Sequence, residues 1–269
     1  MREVKIVKIG GSVITYKDRP YTVDYDSLAN VARQLSKYVR DIGKPLIIIH
    51  GGGSFGHAAV KECGNKDSLD PLCASKVINA MMRLDSIFCD ELIKLGLAVT
   101  PLPPHAVFYE VKDVKHPKGI LKYDLSLIKY YIGVGVNPVL FGDVITVLSM
   151  DLSHSTFRVL SGDEIAWILA KELGIKEIIF VTRVGGLYTS DPHTSSSASL
   201  IRSISKSQLS EVVFAKPQGY DVTGGMEFKI RMGLELGIEG VKVKIVGYEG
   251  DNLYNSLVGL DFRGTTIWY

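Results

Sequence analysis

Cysteine is scarce in this sequence. Only Cys63, Cys73 and Cys89 occur, and none of them forms a C-x-x-C pair. An odd number of cysteines without that spacing argues against a disulfide framework and against a zinc ribbon. The sequence therefore predicts a protein of a reducing compartment, the cytoplasm.

Long apolar runs and biased charge are also absent. No apolar run is long enough to span a bilayer, and the amino terminus leads directly into a strand pattern, which predicts no export signal. The net charge of +2 comes from 31 basic and 29 acidic residues spread along the chain, which excludes a basic nucleic-acid stripe and an acidic tail. No internal repeat or linker is found. The 269 residues, 46% of them hydrophobic, suffice for a folded globular protein with a large core.

What is present is an alternation of strand and helix patterns. Short apolar runs predict strands at residues 4–9, 46–50, 138–141, 178–182, 241–246 and 265–269. Apolar residues at helical spacing predict helices at 28–42, 75–96 and 123–131, and after Ser161 and Met226. Residues 144–148 and 156–160 form a predicted hairpin whose turn passes through Asp151 and His154. This order indicates an α/β fold with a mainly parallel sheet covered on both faces, and with the last strand at an edge.

The most informative stretch is residues 50–57, His-Gly-Gly-Gly-Ser-Phe-Gly-His, which follows the apolar run Leu46–Ile49 and is interpreted as a loop that opens from a buried strand. Glycines permit positive φ and let a ligand approach bare backbone N–H groups, an arrangement that binds phosphate. A plain strand-to-helix turn uses glycines as well. The choice between these two interpretations depends on the rest of the chain.

Charged residues accompany the other glycine segments. Lys8 precedes Gly10-Gly11-Ser12, and Lys17 follows in the same loop. Asp163 lies in the first turn of the helix that begins after Ser161, where an acidic residue also suits the helix dipole. Lys229 lies about one turn into the helix that follows residues 221–226, Asp-Val-Thr-Gly-Gly-Met.

Taken in order, Lys-Ile-Gly-Gly-Ser at 8–12, His-Gly-Gly-Gly at 50–53, Ser-Gly-Asp at 161–163 and residues 221–226 with Lys229 resemble the amino acid kinase superfamily over nearly the whole chain. Within it, the stretch 51–57, the run 12–15 leading to Lys17, and Gly-Asp-Val at 142–144 resemble the isopentenyl phosphate kinase family. His57 is the most specific of these residues.

This resemblance implies a single three-layer αβα domain over residues 1–269, with an acceptor lobe at about 1–175 and an ATP-binding lobe at 176–269. It further implies transfer of the ATP γ-phosphate to isopentenyl phosphate, within an archaeal-type mevalonate route of isoprenoid biosynthesis. Magnesium is expected to arrive with ATP, because the sequence has no dedicated carboxylate cage. A homodimer is implied by the resemblance alone.

The chemistry of joining two phosphates gives each charged residue a role. Positive charge must offset the repulsion between acceptor and ATP, and Lys8, Lys229 and Lys17 are expected to supply it. Asp163 is expected to orient the lysines, since a phosphate acceptor has a second pKa near 6 and needs no general base. His57 is expected to hydrogen-bond the acceptor phosphate. For Lys17 a solvated surface position is the plainer interpretation, and for His57 packing against the following helix.

The remaining predicted site residues divide between two ligands. For the acceptor they are Gly52, Gly53, Gly56, His57, Val139, Gly142, Asp143 and Val159, with the helix at 75–96 as a further wall of an apolar pocket. For the nucleotide they are Lys8, Gly10, Gly11, Ser12, Thr182, Arg183, Gly186, Tyr188, Asp191, Gly224, Gly225 and Lys229. No metal ligands are predicted. His50 is expected to end its strand and support the glycine segment.

One position departs from the family pattern. Members of this family often carry an acidic or amide residue after the strand threonine, whereas this chain has Arg183 after Thr182. The nearest alternative function is a kinase of the fosfomycin type, whose acceptor is a small phosphonate. A second alternative is a nucleotide-binding protein without turnover, to which only Arg183 points.

Overall fold

The computed structural model describes residues 4–63, 68–149, 156–190, 192, 194, 195, 197–211 and 225–269. The predicted turn through Asp151 and His154, and the predicted site residues Asp191 and Gly224, lie outside these ranges. No helix within them is long and apolar enough to cross a membrane.

Strands and helices alternate along the chain, as the apolar periodicity predicts. The strands are β1 Lys5–Ile9, β2 Leu46–His50, β3 Val99–Pro101, β4 Phe108–Lys112, β5 Ile120–Tyr123, β6 Asn137–Phe141, β7 Asp143–Ser149, β8 Thr156–Leu160, β9 Glu177–Val181, β10 Leu187–Tyr188, β11 Leu200–Ile201, β12 Ser203–Ser205, β13 Lys242–Val246 and β14 Gly264–Trp268. The helices are α1 Gly11–Ile14, α2 Tyr25–Ile42, α3 Gly53–Cys63, α4 Pro71–Lys94, α5 Pro104–Val107, α6 Ser126–Val134, α7 Gly162–Leu173, α8 Gly225–Glu235 and α9 Asn252–Val258, with a 3₁₀ turn at Lys206–Glu211.

The helix ends follow local chemistry. Asp24 caps α2 by accepting a hydrogen bond from the Ser27 amide, and Gly43 ends the helix with φ at 67°. Ser161 caps α7 in the same way, accepting from the Glu164 amide. The predicted helix at 123–131 begins later than expected, because Tyr123 belongs to β5 and α6 starts at Ser126.

The main sheet has the order β12-β14-β13-β9-β1-β2-β6-β3, and all its neighbours are parallel except β13 and β14. This confirms the predicted α/β class with a mainly parallel sheet. The expectation that the last strand lies at an edge is wrong, because β12 pairs with β14 on its outer side. A smaller sheet, β5-β4-β7-β8, contains the predicted hairpin as the antiparallel pair β7 and β8.

Two hydrophobic clusters cover the faces of the main sheet. Along β1, Val7 and Ile9 belong to the cluster that includes α2 and α4, and Ile6 belongs to the cluster that includes α7. Strict alternation therefore places Lys8 on the α7 side. The two clusters account for the two helical layers of the fold.

Cys63 and Cys73 are joined by a disulfide. The sequence-based argument against a disulfide framework is therefore wrong for this pair. The end of α3 and the start of α4 bring the two Cα atoms within 5.7 Å, a proximity that spacing along the chain did not reveal. The remaining cysteine, Cys89, is free and buried in α4.

Candidate active site

The carboxyl ends of five strands meet at one level of the main sheet. Register pairs Ile9 with His50 and Val181, His50 with Phe141, and Val181 with Val246. The glycine segments that follow these strands must therefore start side by side along one edge. On one side of β1 lies β2, the next strand along the chain, and on the other side lies β9, which comes much later in the sequence. Ligands of open α/β sheets bind at such a point, where the strand order reverses.

The first two glycine segments are in direct contact. A Cβ added at Gly11 would collide with the backbone of Gly53, so glycine is required for this approach. The Thr15 hydroxyl links the two segments, donating to the Gly11 carbonyl at 2.8 Å and accepting from the Ser54 amide at 2.9 Å. Segments that were separate motifs in the sequence thus form one continuous surface.

Lys8 and Lys229 share the carboxylate of Asp163. Lys8 Nζ lies 2.7 Å from Asp163 Oδ1, and Lys229 Nζ lies 3.0 Å from Asp163 Oδ2. The Asp163 side chain is fully buried and both lysines are nearly so. Two ammonium groups on one carboxylate leave net positive charge in a region of low dielectric, which is suited to phosphate.

The position of Asp163 follows from the start of α7. The cap at Ser161 fixes where the helix begins, and Gly162 lets that end approach the sheet. A Cβ at Gly162 would lie 3.1 Å from Ile49 Cγ2 and 3.4 Å from Lys8 Cε. Asp163 then faces the Lys8 ammonium with no side chain between them.

Lys229 is held through its own helix. The Trp167 indole on α7 donates to the Lys229 carbonyl at 2.7 Å, and the Tyr269 hydroxyl donates to the Ile230 carbonyl at 2.7 Å. The first bond fixes α8 against α7 and the second fixes it against the residue that follows β14, so that Lys229 reaches Asp163. The Lys229 ammonium also donates to the Gly225 carbonyl at 3.2 Å, which ties the residue to the start of α8.

Electrostatics keep Asp163 ionised. Burial raises its pKa, but the charges of Lys229 and Lys8 and their hydrogen bonds outweigh that effect, so the net pKa lies below the ordinary aspartate value. A carboxylate with a lowered pKa, and with both oxygens ion-paired, is a poor proton acceptor. The geometry agrees with an orienting role for this residue.

His57 lies on a helix and not in a loop after β2. Helix α3 begins at Gly53, and His57 is half-buried in its second turn. Gly52 and Gly56 make room for α4, since a Cβ at either position would approach Met81 Sδ, at 3.2 Å and 3.0 Å. His50, by contrast, is buried at the end of β2, stacked on Phe141 and 3.2 Å from Asp85 Oδ1 through Nε2.

The predicted apolar acceptor residues join one hydrophobic cluster. Val139 is fully buried in it, and Val159 is half-buried against it. Gly142 closes on the start of α7, where its Cβ would lie 3.2 Å from the Gly162 amide. The same cluster contains Met81, which faces Gly52 and Gly56, so the region beside α3 is apolar.

Asp143 has a partner that the sequence did not indicate. Its Oδ2 lies 2.7 Å from His105 Nδ1, and its Oδ1 is buried without a hydrogen-bond partner in the described part of the chain. The hydrogen bond with Asp143 raises the pKa of His105, although burial lowers it. No spacing in the sequence links these two residues, because His105 lies on α5 and Asp143 begins β7, 38 residues later in the chain.

The turn after β9 contains residues that the sequence predicts for the nucleotide side. The Thr182 hydroxyl accepts from the Gly185 amide at 3.0 Å, and Gly185 has φ at 71°. Gly186 is packed against Leu200, and the Tyr188 hydroxyl donates to the Val184 carbonyl at 3.4 Å. Gly10 is tied to this side, since its amide donates to the Val181 carbonyl at 2.8 Å.

Two of the predicted groups are arranged differently from the buried lysines. Lys17 is exposed in the turn between Thr15 and Val23, and its ammonium has no carboxylate partner among the described residues. Arg183 instead contacts the Ser12 carbonyl and Asp24. The structure therefore brings Lys8, Asp163 and Lys229 together and leaves Lys17 outside that group.

No cluster of three or more His, Cys, Asp and Glu side chains suited to a metal ion occurs within the described ranges. The glycine cradle and the two buried ammonium groups match the phosphates of a nucleotide.

Comparison with known proteins agrees with this geometry. The model of the amino acid kinase family matches residues 3–247. An isopentenyl phosphate kinase of Methanothermobacter thermautotrophicus is 33% identical, over 97% of this chain and 98% of its own. A solved isopentenyl phosphate kinase structure has a TM-score of 0.78 at 29% identity, covering 98% of this chain and 100% of its own.

A solved substrate complex of an isopentenyl phosphate kinase superposes with a TM-score of 0.74 at 27% identity, covering 98% of this chain and 99% of its own. The resemblance read from the glycine and lysine motifs is thus confirmed over the whole fold. The chain belongs to the amino acid kinase family, among the isopentenyl phosphate kinases.

Proposed function

We propose that this chain transfers the γ-phosphoryl group of ATP to isopentenyl phosphate and releases isopentenyl diphosphate and ADP. The observation that carries the proposal is the buried group of Lys8, Asp163 and Lys229 at the contact between two glycine segments. Its net positive charge lies where two phosphates have to approach each other. The isopentenyl phosphate kinases to which the chain is similar support the choice of acceptor.

In the proposed reaction, an oxygen of the acceptor phosphate attacks the γ-phosphorus. The new P–O bond forms as the bond to the β-phosphate oxygen breaks, so the leaving group is ADP. Repulsion between the anions is the main barrier, and fixed positive charge lowers it. Lys8 bridges the acceptor phosphate and the γ-phosphoryl group that is transferred, and Lys229 stabilises the charge on the β- and γ-phosphates of ATP.

No general base takes part in this proposal. The acceptor phosphate is already a nucleophile near neutral pH, because its second pKa is about 6. Asp163, whose pKa is lowered, holds both ammonium groups in place. Lys17 supports the phosphates from its exposed turn, and Mg²⁺ bound to ATP supplies further charge neutralisation.

The acceptor is placed on the α3 side of β1. His57 hydrogen-bonds its phosphate, and the isopentenyl tail lies in the apolar region that includes Met81 and Val159. An apolar region at this position favours an isoprenoid acceptor over a small phosphonate, which would be recognised by a more cationic pocket. ATP is placed on the β9 side, so residues of about 1–175 form the acceptor lobe and 176–269 the nucleotide lobe.

A homodimer is also part of the proposal, on the basis of the family resemblance. Exposed apolar side chains are available for contact on α4, where Ile93 is 56% exposed, and on α6, where Tyr130 is 62% exposed. Light scattering of the purified chain at several concentrations measures the mass directly. A monomeric mass at all concentrations would contradict this part of the proposal.

The function is tested by supplying ATP and Mg²⁺ with one acceptor at a time and following ADP release. The acceptors are isopentenyl phosphate, dimethylallyl phosphate, fosfomycin, uridylate and acetylglutamate. We expect the highest kcat/KM with isopentenyl phosphate, and none above background for a Lys8→Met control. Turnover confined to the amino acid or the nucleotide would refute the proposal, and turnover confined to fosfomycin would establish the phosphonate alternative.

A further inference from the structure

We propose that Arg183 is a positioning residue, which braces the glycine segment at 10–12 against the nucleotide side and thereby strengthens ATP binding. The proposal rests on the proposed function and adds a residue to it. Arg183 stands where the family often has an acidic or amide side chain, so its effect has to be worked out from its contacts in this chain.

The guanidinium of Arg183 contacts three segments that are far apart in sequence. Its Nε donates to the Ser12 carbonyl, and its Nη2 donates to Asp24 Oδ2 at 2.8 Å. Its Nη1 lies 3.5 Å from the Tyr248 hydroxyl. These partners belong to the glycine segment after β1, the cap of α2 and the segment after β13. One side chain from the end of β9 therefore joins all three.

Asp24 is a fixed anchor for this contact. Its Oδ1 accepts from the Ser27 amide at 3.1 Å, and its own amide donates to the Ile14 carbonyl at 2.9 Å. The Asp24 side chain is 8% exposed, whereas that of Arg183 is 40% exposed. Burial raises the pKa of Asp24, but hydrogen bonds from Ser27 and Arg183 outweigh burial and leave the pKa below its ordinary value. The carboxylate is thus charged near neutral pH and held in one orientation.

The contact with Ser12 reaches the candidate site itself. Ser12 follows Gly10 and Gly11, and the backbone of this segment is tied to the nucleotide side only through the Gly10 amide and the Val181 carbonyl, among the backbone bonds of the described residues. Arg183 adds a side-chain tie two residues further on. A segment that is already ordered loses less entropy when the phosphates of ATP bind.

The shape of the guanidinium matters as well as its charge. Arginine presents several N–H donors in a planar fork, so it serves a carbonyl and a carboxylate together. A lysine can keep the ion pair with Asp24 but cannot reproduce the fork. The two substitutions therefore separate charge from geometry.

The test compares Arg183→Met, Arg183→Lys and a matched control, Arg202→Met. Arg202 also donates to a carboxylate, Asp261 at 2.7 Å, and to the Phe262 carbonyl, but it lies on the surface far from Ser12 in sequence. We expect Arg183→Met to raise the KM for ATP roughly tenfold, with kcat and the KM for isopentenyl phosphate changed by less than about threefold. Arg183→Lys should fall between wild type and Arg183→Met, and Arg202→Met should match wild type.

Binding of ATP with Mg²⁺ by calorimetry tests the brace without turnover. We expect Arg183→Met to weaken this binding by about the same factor. If the wild type binds ATP but does not phosphorylate isopentenyl phosphate, the proposed acceptor is refuted. The positioning role of Arg183 is then decided by the ATP affinities alone. A wild type that binds no ATP refutes both proposals.

Asp24→Asn completes a double-mutant cycle with Arg183→Met. Asparagine still caps a helix, but it lacks the negative charge that pairs with Arg183. The brace predicts that the double variant with Arg183→Met is no worse than Arg183→Met alone. Unchanged ATP affinity in Arg183→Met would overturn the proposal. The proposal would also be overturned if Arg183→Met raised both KM values equally, lowered kcat and lowered the melting temperature. These changes together indicate a general folding defect.

Discussion

The Thr15 hydroxyl accepts a hydrogen bond from the Ser54 amide at 2.9 Å and donates one to the Gly11 carbonyl at 2.8 Å. A single buried oxygen thus connects the glycine segment after β1 to the start of α3. Valine has nearly the shape of threonine but lacks both hydrogen bonds. In this variant the Ser54 amide and the Gly11 carbonyl are buried without their hydrogen-bond partner, which destabilises the folded state. We therefore expect Thr15→Val to lower the free energy of unfolding by about 2–3 kcal/mol.

Urea denaturation measures this change, with Thr15→Ser as the control that retains the hydroxyl. Thr15→Ser should lose clearly less stability than Thr15→Val. Equal midpoints for the two variants would show that the bridge is not important for stability.

Lys229→Met removes one of the two ammonium groups on Asp163. Positioned positive charge stabilises the developing charge of phosphoryl transfer, so we expect kcat to fall roughly 10²- to 10³-fold. Single-turnover kinetics measures the rate, and circular dichroism checks that the fold is intact. Lys242→Met is a matched control, since Lys242 also pairs with a carboxylate, Glu177 at 3.6 Å, but at the opposite end of the strands. A rate unchanged in Lys229→Met would remove this residue from the mechanism.

His57→Ala should affect the acceptor more than the nucleotide. A hydrogen bond to a charged phosphate is among the stronger ones, so we expect the KM for isopentenyl phosphate to rise at least roughly tenfold. The affinity for ATP, measured by calorimetry, should stay within about twofold. His116→Ala is the control, because His116 is exposed and pairs with Asp113 at 2.9 Å on a surface turn. Equal losses for both ligands in His57→Ala would indicate a folding defect.

The lowered pKa of Asp163 predicts a pH dependence of stability. The unfolded carboxyl titrates at about 3.9, so the unfolded state binds more protons than the native state between that pH and the lower native pKa. The stabilisation is fully present above this value and is lost as the pH falls toward the native pKa. We expect the free energy of unfolding of wild type to fall more steeply below about pH 4 than that of Asp163→Asn.

Urea titrations at several pH values between 2.5 and 6 measure this difference, and circular dichroism confirms the native fold of the variant at pH 6. Parallel pH curves for wild type and Asp163→Asn would contradict the assigned ion pair.

The disulfide between Cys63 and Cys73 should stabilise the fold by restricting the unfolded chain. With a sequence separation of 10, the expected contribution is about 2–3 kcal/mol. A reducing agent should therefore lower the melting temperature by roughly 4–8 °C. Cys73→Ser should show the lower temperature without reducing agent and no further change with it, while Cys89→Ser should respond like wild type. Identical melting with and without reducing agent in wild type would rule out the bridge.

Much of the fold was accessible from the sequence, for a physical reason. Strands of a parallel sheet that are buried on both faces are continuously apolar, and Leu46–His50 was predicted to the residue. The short strands β4 and β5 of the smaller sheet lack this signal, because Glu110, Lys112 and Lys122 interrupt their apolar residues. Because β5 could not be recognised, Tyr123 at its end was assigned to the following helix, which in the structure begins at Ser126.

The site divides in a similar way. Motifs that combine glycine with charge indicated Lys8, Asp163 and Lys229, and the structure brings their charged groups together. Contacts made across the fold gave no local signal. These contacts join segments that become neighbours only after folding. They are the hydrogen bonds of Thr15, the pair of His105 and Asp143, and the three partners of Arg183.

The register of β1 also restricts how this chain can change. Lys8 alternates with Val7 and Ile9, and β1 is held between β2 and β9. Deleting one residue within β1 would turn the Lys8 ammonium into the apolar layer beneath α2 and present an aliphatic side chain to Asp163. An insertion would do the same. Length variation among descendants of this protein should therefore be tolerated in surface turns and be eliminated by selection within residues 5–9.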